Sequence, residues 1–440
     1  MTSGKPSSVL IRFAIPVFLG NIFQHFYNIT DAVIVGRFIG NEALAAVGSV
    51  GNVMFLLNGF LSGMTTGFTV LTAQFFGARD YDKMRRTVTS ASMLCMLMTV
   101  TISVASIFFM ESLLRLMNTP EDIFNYAYEY IIVIYVGAFA HTAYILFGNI
   151  LRAMGNSRVP LYFLISAMVL NIILDLLFIL VFKMGTRGAA VATVLAQGIS
   201  AALCFIYIIK KVPLLRLTRT DWRLDYRMAG KQLSLGFPMA LQFSVTAFGT
   251  ILVQSALNIL GSATVAAYTA AVKIEQMITQ GTLALGVAVN NYCAQNKGAK
   301  LYTRIRNGMH SALAIGMVYV VVSGLIMWTV GKYGAYLFLS ESTPSLLELA
   351  QIYLRCNALF LPFLLGIDLY RSSIEGMGYG FLSLFSGIAE LIGRGVTAHF
   401  AAEYESYFGV CMAGPAAWVL ASVLLVIMYL RVMRKADKAK

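Results

Sequence analysis

Charge is what this 440-residue chain has least of. Asp, Glu, Lys and Arg make up 12% of it, where a soluble domain carries about a quarter. Apolar residues make up 58%, and the mean hydropathy is +0.75. A chain this poor in polar surface is excluded from the soluble globular class and reads as a polytopic membrane protein. Cysteine is also scarce. Cys95, Cys204, Cys293, Cys356 and Cys411 form an odd set without a CxxC, all inside apolar stretches, so neither a disulfide framework nor a metal site is expected. Only four histidines occur, and His141, His310 and His399 stand alone. No HExxH, paired His or nucleophile–base arrangement is present, which argues against a membrane-embedded enzyme, so no catalytic residue is expected. The opening MTSGKPSS is too short for a signal peptide, and the first apolar run reads as a retained helix.

What the chain does have is long apolar runs. Twelve lie near 8–37, 43–76, 87–110, 122–150, 159–182, 188–210, 232–260, 263–295, 307–331, 345–375, 380–402 and 408–431. Each is long enough to cross about 30 Å of hydrocarbon as a helix. The net charge of +13 suggests nucleic acid at first, but its placement points to lipid. With six spans per half, both termini (Lys5 and Arg12 included) and the 77–86, 152–158, 210–231, 297–306 and 431–440 stretches share one side. They hold 24 of the 33 basic residues, against Arg37, Arg115, Lys183, Arg187 and Lys332 opposite. This asymmetry predicts that both termini are cytoplasmic. The basic surface then faces anionic headgroups, with no nucleic-acid partner.

The chain also repeats itself. Shifted by 221 positions, residues 40–91 fall on 261–312 without a gap and with eleven identities, among them Gly40, Ala73, Gln74, Gly77, Tyr81 and Arg85. LRAMGN (151–156) falls on IEGMGY (374–379) at a shift of 223, and Pro16 on Pro238 at 222. The predicted organisation is therefore an N-lobe (1–210), a cytoplasmic linker (211–230) and a C-lobe (231–440). Internal repeats in an apolar chain point to a transporter. A channel is disfavoured, because a pseudo-twofold chain offers no pore ring.

Ionisable groups are costly in lipid, so those retained there mark candidate sites. On the first helix Asn21, Gln24, Asn28 and Asp31 recur at spacings of three, four and three, one face flanked by His25 and Tyr27. Asn171 and Asp175 make a second polar face on helix five, and Thr193 and Gln197 a third on helix six. Asp31 and Asp175 have no basic residue within five positions. Two such carboxylates, if brought together, could take up and release a proton. The same oxygens, with Asn171 and Thr193, could instead ligate sodium. In the second half Glu390 and Arg394 are i, i+4 partners, and Asp368, Arg371 and Glu375 form an acid–base–acid run. Those charges are expected to satisfy one another within one helix, as a structural cluster.

The segments IPVFLGNIFQHFYNITDAVIVGRFIG, EALAAVG, AQFFGA, AQNKGA, LRAMGNSR and AAYTAAVKIEQ resemble the multidrug and toxic compound extrusion (MATE) transporters, over essentially the whole chain. The resemblance implies an all-α integral membrane fold of the MATE/MOP type, twelve transmembrane helices in two pseudo-symmetric lobes. It also implies alternating access and export of amphipathic, often cationic, compounds in exchange for Na+ or H+, with no other cofactor. In one branch of the family an N-lobe cation site corresponds in type and spacing to Asp31, Asn171, Asp175 and Thr193. Gln24 and Tyr27, with Asn28 beside them, fall at cavity positions, and Pro16 at a helix-one bend that Pro238 repeats. Gln242 stands where another branch has a sodium-binding Glu, which leaves it a cavity residue. The expected protein is a monomeric, multi-pass plasma-membrane transporter in contact with small-molecule substrates and lipids. The alternative within the superfamily is a lipid-linked precursor flippase. Those proteins often carry fourteen helices and a basic cavity, whereas intramembrane Arg and Lys are few here.

Overall fold

The computed structural model describes residues 1–223, 225–336 and 344–438. Among these, fourteen α-helices and no strand occur: α1 (Pro6–Phe38), α2 (Asn41–Ser49), α3 (Gly51–Gly77), α4 (Tyr81–Leu116), α5 (Glu121–Val136), α6 (Ala138–Ala153), α7 (Arg158–Leu176), α8 (Gly185–Lys211), α9 (Tyr226–Ile259), α10 (Ser262–Gly298), α11 (Tyr302–Ala335), α12 (Pro344–Gly376), α13 (Gly380–Glu403) and α14 (Tyr407–Lys438). Lipid offers backbone groups no partner, so each apolar run must close its own hydrogen bonds, and the helix does this.

The twelve apolar runs all fall on helix, but three are not single α-helices. Run 43–76 is cut at Val50 into α2 and α3. Run 122–150 bends by 49° at Gly137, between α5 and α6. Run 159–182 ends in a π-helical turn, Leu177–Val181, after α7. Their counterparts α10, α12 and α13 are continuous. Among the described residues ten helices are long and apolar enough to span a bilayer, and the bent α5–α6 pair makes an eleventh. Two helices remain: α2, with nine residues, is too short to span, and α10 has 37 residues, but Lys273, Glu275, Gln276 and Gln280 dilute its apolar character.

The repeat is visible in the backbone. Gly40 and Gly261, which precede α2 and α10, both have positive φ (132° and 92°). So do Arg79 and Lys300 (59° each), Gly155 and Gly378 (90° and 80°), and Lys183 and Glu405 (51° and 46°). After Arg79 the Asp80 amide donates back to Phe75 O at 3.0 Å, and after Lys300 the Leu301 amide donates to Asn296 O at 2.8 Å. These are the turns that end a helix with a left-handed residue. A side chain in that region costs about 1–2 kcal/mol, so keeping one at both copies marks inherited turn geometry.

The chain forms two compact units, Met1–Phe18 with Leu241–Lys440, and Leu19–Ala240. Each boundary falls two residues beyond an in-helix proline, Pro16 in α1 and Pro238 in α9. The start of α1 thus belongs with α10–α14, where Leu10, Phe13 and Val17 join the core. The start of α9 belongs with α2–α8. There Gly67 of α3 meets Gly236 so closely that a Cβ on Gly67 would lie 2.3 Å from the Gly236 Cα. Fully buried Gln232 donates to Phe68 O (3.1 Å) and Thr87 O (2.9 Å), linking α9 to α3 and α4. On the outside, Leu97, Phe108 and Phe109 of α4 and Val318 and Leu325 of α11 are 60–71% exposed, as lipid-facing side chains are.

Candidate functional site

In the unit Leu19–Ala240, three helices bring the predicted cation residues together. The second part of α1 carries Tyr27 and Asp31 one turn apart, α7 carries Asn171 and Asp175, and α8 carries Thr193. All are buried, Asp175 completely. The Asn171 amide donates to Thr193 Oγ1 at 3.4 Å. The Asp31 carboxyl faces that of Asp175 and the Tyr130 hydroxyl of α5, and Tyr27 lies beside Thr193. No Lys or Arg stands among the groups acting on either acid. Asp31 Oδ1 and both Asp175 oxygens are buried without a hydrogen-bond partner. Adjacent carboxylates removed from water repel each other and lose hydration, and neither has a countercharge. A proton held between them, or a cation held by their oxygens, relieves both penalties. The oxygen-rich donor set fits either ion.

The polar stripe of α1 divides at this point. Tyr27 and Asp31 are on its buried side, whereas Asn28 is exposed and accepts from the partly exposed Gln24 at 3.4 Å. Tyr130 was not singled out from the sequence. It lies in a segment with Tyr126, Tyr128 and Tyr135, and nothing in the order of residues distinguishes the one that meets Asp31.

The second predicted cluster forms within the other unit and keeps the expected Glu390–Arg394 contact, but the α12 charges pair differently from the expectation. Asp368, Arg371 and Glu375 do not satisfy one another along α12. Arg371 reaches across to α13 and pairs with Glu390, and its Nε donates to Ser386 Oγ at 3.2 Å. Arg394 meets the second Glu390 oxygen at 3.5 Å. The α12 acids turn instead to hydroxyls, Asp368 to Thr282 and Glu375 to Ser383. Glu390 is thus the shared carboxylate of two guanidiniums, a geometry that helical spacing on α12 could not disclose. Gln242 of α9 belongs to this cluster: with its amide turned so that the oxygen faces the guanidinium, that oxygen accepts from Arg371 Nε at 2.9 Å. Sequence reasoning also missed Glu275 of α10, which accepts from the Tyr353 hydroxyl, with the Tyr268 ring edge-on to Tyr353 at 4.8 Å. Pro16 and Pro238 both sit inside unbroken helices.

A repeated all-helical membrane fold that keeps buried carboxylates in its spans is, by class, a membrane transporter. Its family follows from comparison with known proteins. The MatE family profile matches residues 16–177 and 238–395, once in each half, and the chain belongs to this family of multidrug efflux transporters. It is 30% identical over 375 residues to "Probable multidrug resistance protein YpnP" of Bacillus subtilis, covering 85% of this chain and 83% of that protein. It is 24% identical to "Probable multidrug resistance protein NorM" of Thermotoga maritima, over 84% of this chain and 80% of the relative. Among solved structures, a MOP superfamily transporter from Pyrococcus furiosus matches with a TM-score of 0.92 at 22% identity, covering 99% of this chain and 97% of that one. The fold is the MATE fold of the MOP type, and the protein is a transporter rather than an enzyme.

Proposed function

We propose that the protein is a secondary antiporter that exports amphipathic, cationic small molecules in exchange for H+ or Na+ by alternating access of its lobes, 1–210 and 231–440. Asp31, Asn171, Asp175 and Thr193 are the coupling-cation site, and Gln24, Tyr27 and Asn28 line the adjoining substrate path. One observation carries this reading: two buried carboxyls face each other with three unpartnered oxygens and no basic neighbour. Antiport requires that cation and substrate favour different arrangements of the protein, each shifting the equilibrium by its difference in affinity. The protein sits in the plasma membrane with both termini cytoplasmic, as the basic asymmetry of its loops supports. The flippase alternative is disfavoured, because relatives matching over most of the chain are named multidrug resistance proteins.

Reconstitution into liposomes with an imposed Na+ or pH gradient, and a fluorescent organic cation as reporter, tests the proposal. One of the two gradients drives uptake or release of the reporter. Asp31→Asn and Asp175→Asn each abolish that drive while folding normally, and the double variant is little worse than either single, because both acids serve one site. Full gradient-driven transport by either variant at equal protein overturns the assignment.

A further inference from the structure

The segment joining the halves is not a loose tether. Between the end of α8 and the start of α9 the chain makes two short 3-10 turns, Pro213–Leu215 and Arg219–Trp222. Leu215 is buried in the core shared by α4, α6 and α8. Asp221, also buried, is the clamp. Its Oδ2 accepts from the Thr218 amide and hydroxyl, both at 2.7 Å, and stands 3.5 Å from Arg85 Nε of α4. Its carbonyl accepts from Thr89 Oγ1 at 2.6 Å.

This clamp holds an unusual surface in place. Lys210, Lys211, Arg216, Arg219, Arg223 and Arg227 are all exposed. None of the six is paired with an acid among the described residues; the one acid on the segment before Asp225 is Asp221, and Arg85 takes it. Asp225 is engaged in capping α9 through the Arg227 and Met228 amides. Within this basic field stand Trp222, 49% exposed, and Tyr226, 82% exposed. The surface lies where α8 ends, α9 begins and α4 takes its first turns, at the level where spans of this length meet headgroups. Six cations without counterions around amphipathic rings, fixed at a membrane boundary, need a multivalent anionic partner whose interior is apolar.

We propose that the exposed residues of 210–223 and 225–227 are a docking surface for the headgroups of anionic phospholipids, with Trp222 inserted at the interface and the Arg side chains on the phosphates. Fixing the backbone that carries these side chains through Asp221 makes it a built surface, in contrast to a flexible basic tail.

The chain has three tryptophans, so Trp328→Phe with Trp418→Phe leaves Trp222 as sole reporter. In nanodiscs, brominated phosphatidylglycerol quenches Trp222 at least twofold more than brominated phosphatidylcholine at the same mole fraction. Arg216→Gln, Arg219→Gln and Arg223→Gln combined remove that preference without lowering thermal stability. A tryptophan quenched equally by both lipids, or by neither, overturns the proposal. So does loss of the preference on adding inorganic phosphate at matched ionic strength, which would assign the surface to free phosphate. If the triple variant fails to fold, Arg219→Gln alone reduces the preference, and an unchanged preference in that variant counts against the proposal.

Discussion

At the scale of single residues, the two acid clusters differ in what removing a charge leaves behind. Asp31 and Asp175 have no countercharge, so amides there orphan nothing. Glu390 is held by Arg371 and Arg394 together. Glu390→Gln therefore leaves two partly buried guanidiniums uncompensated, at a cost of up to about 3 kcal/mol, the low end of the range for a broken buried pair. Thermal unfolding in detergent checks this. Adding Arg371→Gln to Glu390→Gln recovers more stability than adding Arg394→Gln, because Arg371 makes the closer contact. A stable Glu390→Gln protein that transports but no longer responds to the ion gradient would place the cluster in the coupling machinery. The linker clamp gives a pH prediction. Burial alone would push Asp221 up, but the Thr218 amide and hydroxyl, with Arg85, hold its carboxyl below the usual range. The ionised form is thus favoured in the folded state. The clamp is at full strength above the ordinary carboxylate range and is lost as pH falls through the depressed value. Amide exchange across 212–223 stays protected from pH 8 to 5 and accelerates below about pH 4. Acceleration already between pH 7 and 6 would contradict this. Much at this scale was legible in the sequence. Asp31 and Asp175 were visible because an ionisable group in an apolar run needs a reason, and Asn171 and Thr193 because they make polar faces at helical spacing with Asp175 and Gln197. Tyr130, Gln242 against Arg371, and the Arg371–Glu390 pair were not, because each depends on which helix faces which.

Among the elements, apolar run length placed the helical stretches but not the breaks within them, and those failures have local causes. The break at Val50 falls in the Gly48–Asn52 stretch, where two glycines, a serine and an asparagine interrupt the apolar run, and the bend at Gly137 falls on a single glycine; run length passes over such short interruptions. The repeat shows what the breaks alter: the second half builds the same runs as continuous helices. At the crossing of α3 and α9 the backbones approach so closely that no side chain fits between Gly67 and Gly236. Gly67→Val must push the helices apart, at a cost of about 1–3 kcal/mol or more. Lower yield and melting temperature are the expected outcome, with Gly48→Ala, where a Cβ meets nothing, as the neutral control. Equal stability of Gly67→Val and wild type would mean the two helices are not packed this way.

For the whole molecule, duplication is the organising fact, and it was legible because insertions are few: one shift carried 52 residues without a gap. The exchange of helix starts, α1 with the later helices and α9 with the earlier ones, was not legible, since it concerns packing and leaves the runs unchanged. Orientation is tested at this scale. A single cysteine at Arg219 in a Cys-free variant stays unlabelled by an impermeant reagent in intact cells and reacts after permeabilisation. Labelling from outside would invert the topology. The central claim, that the Asp31–Asp175 pair binds the coupling ion, is met most directly by counting that ion. When an organic cation is added to purified protein in weakly buffered solution, wild type releases H+ or Na+ as the ligand binds, by the reciprocity of linked sites. Asp31→Asn and Asp175→Asn should bind the ligand and release neither ion; release of the wild-type amount by either variant would contradict the account.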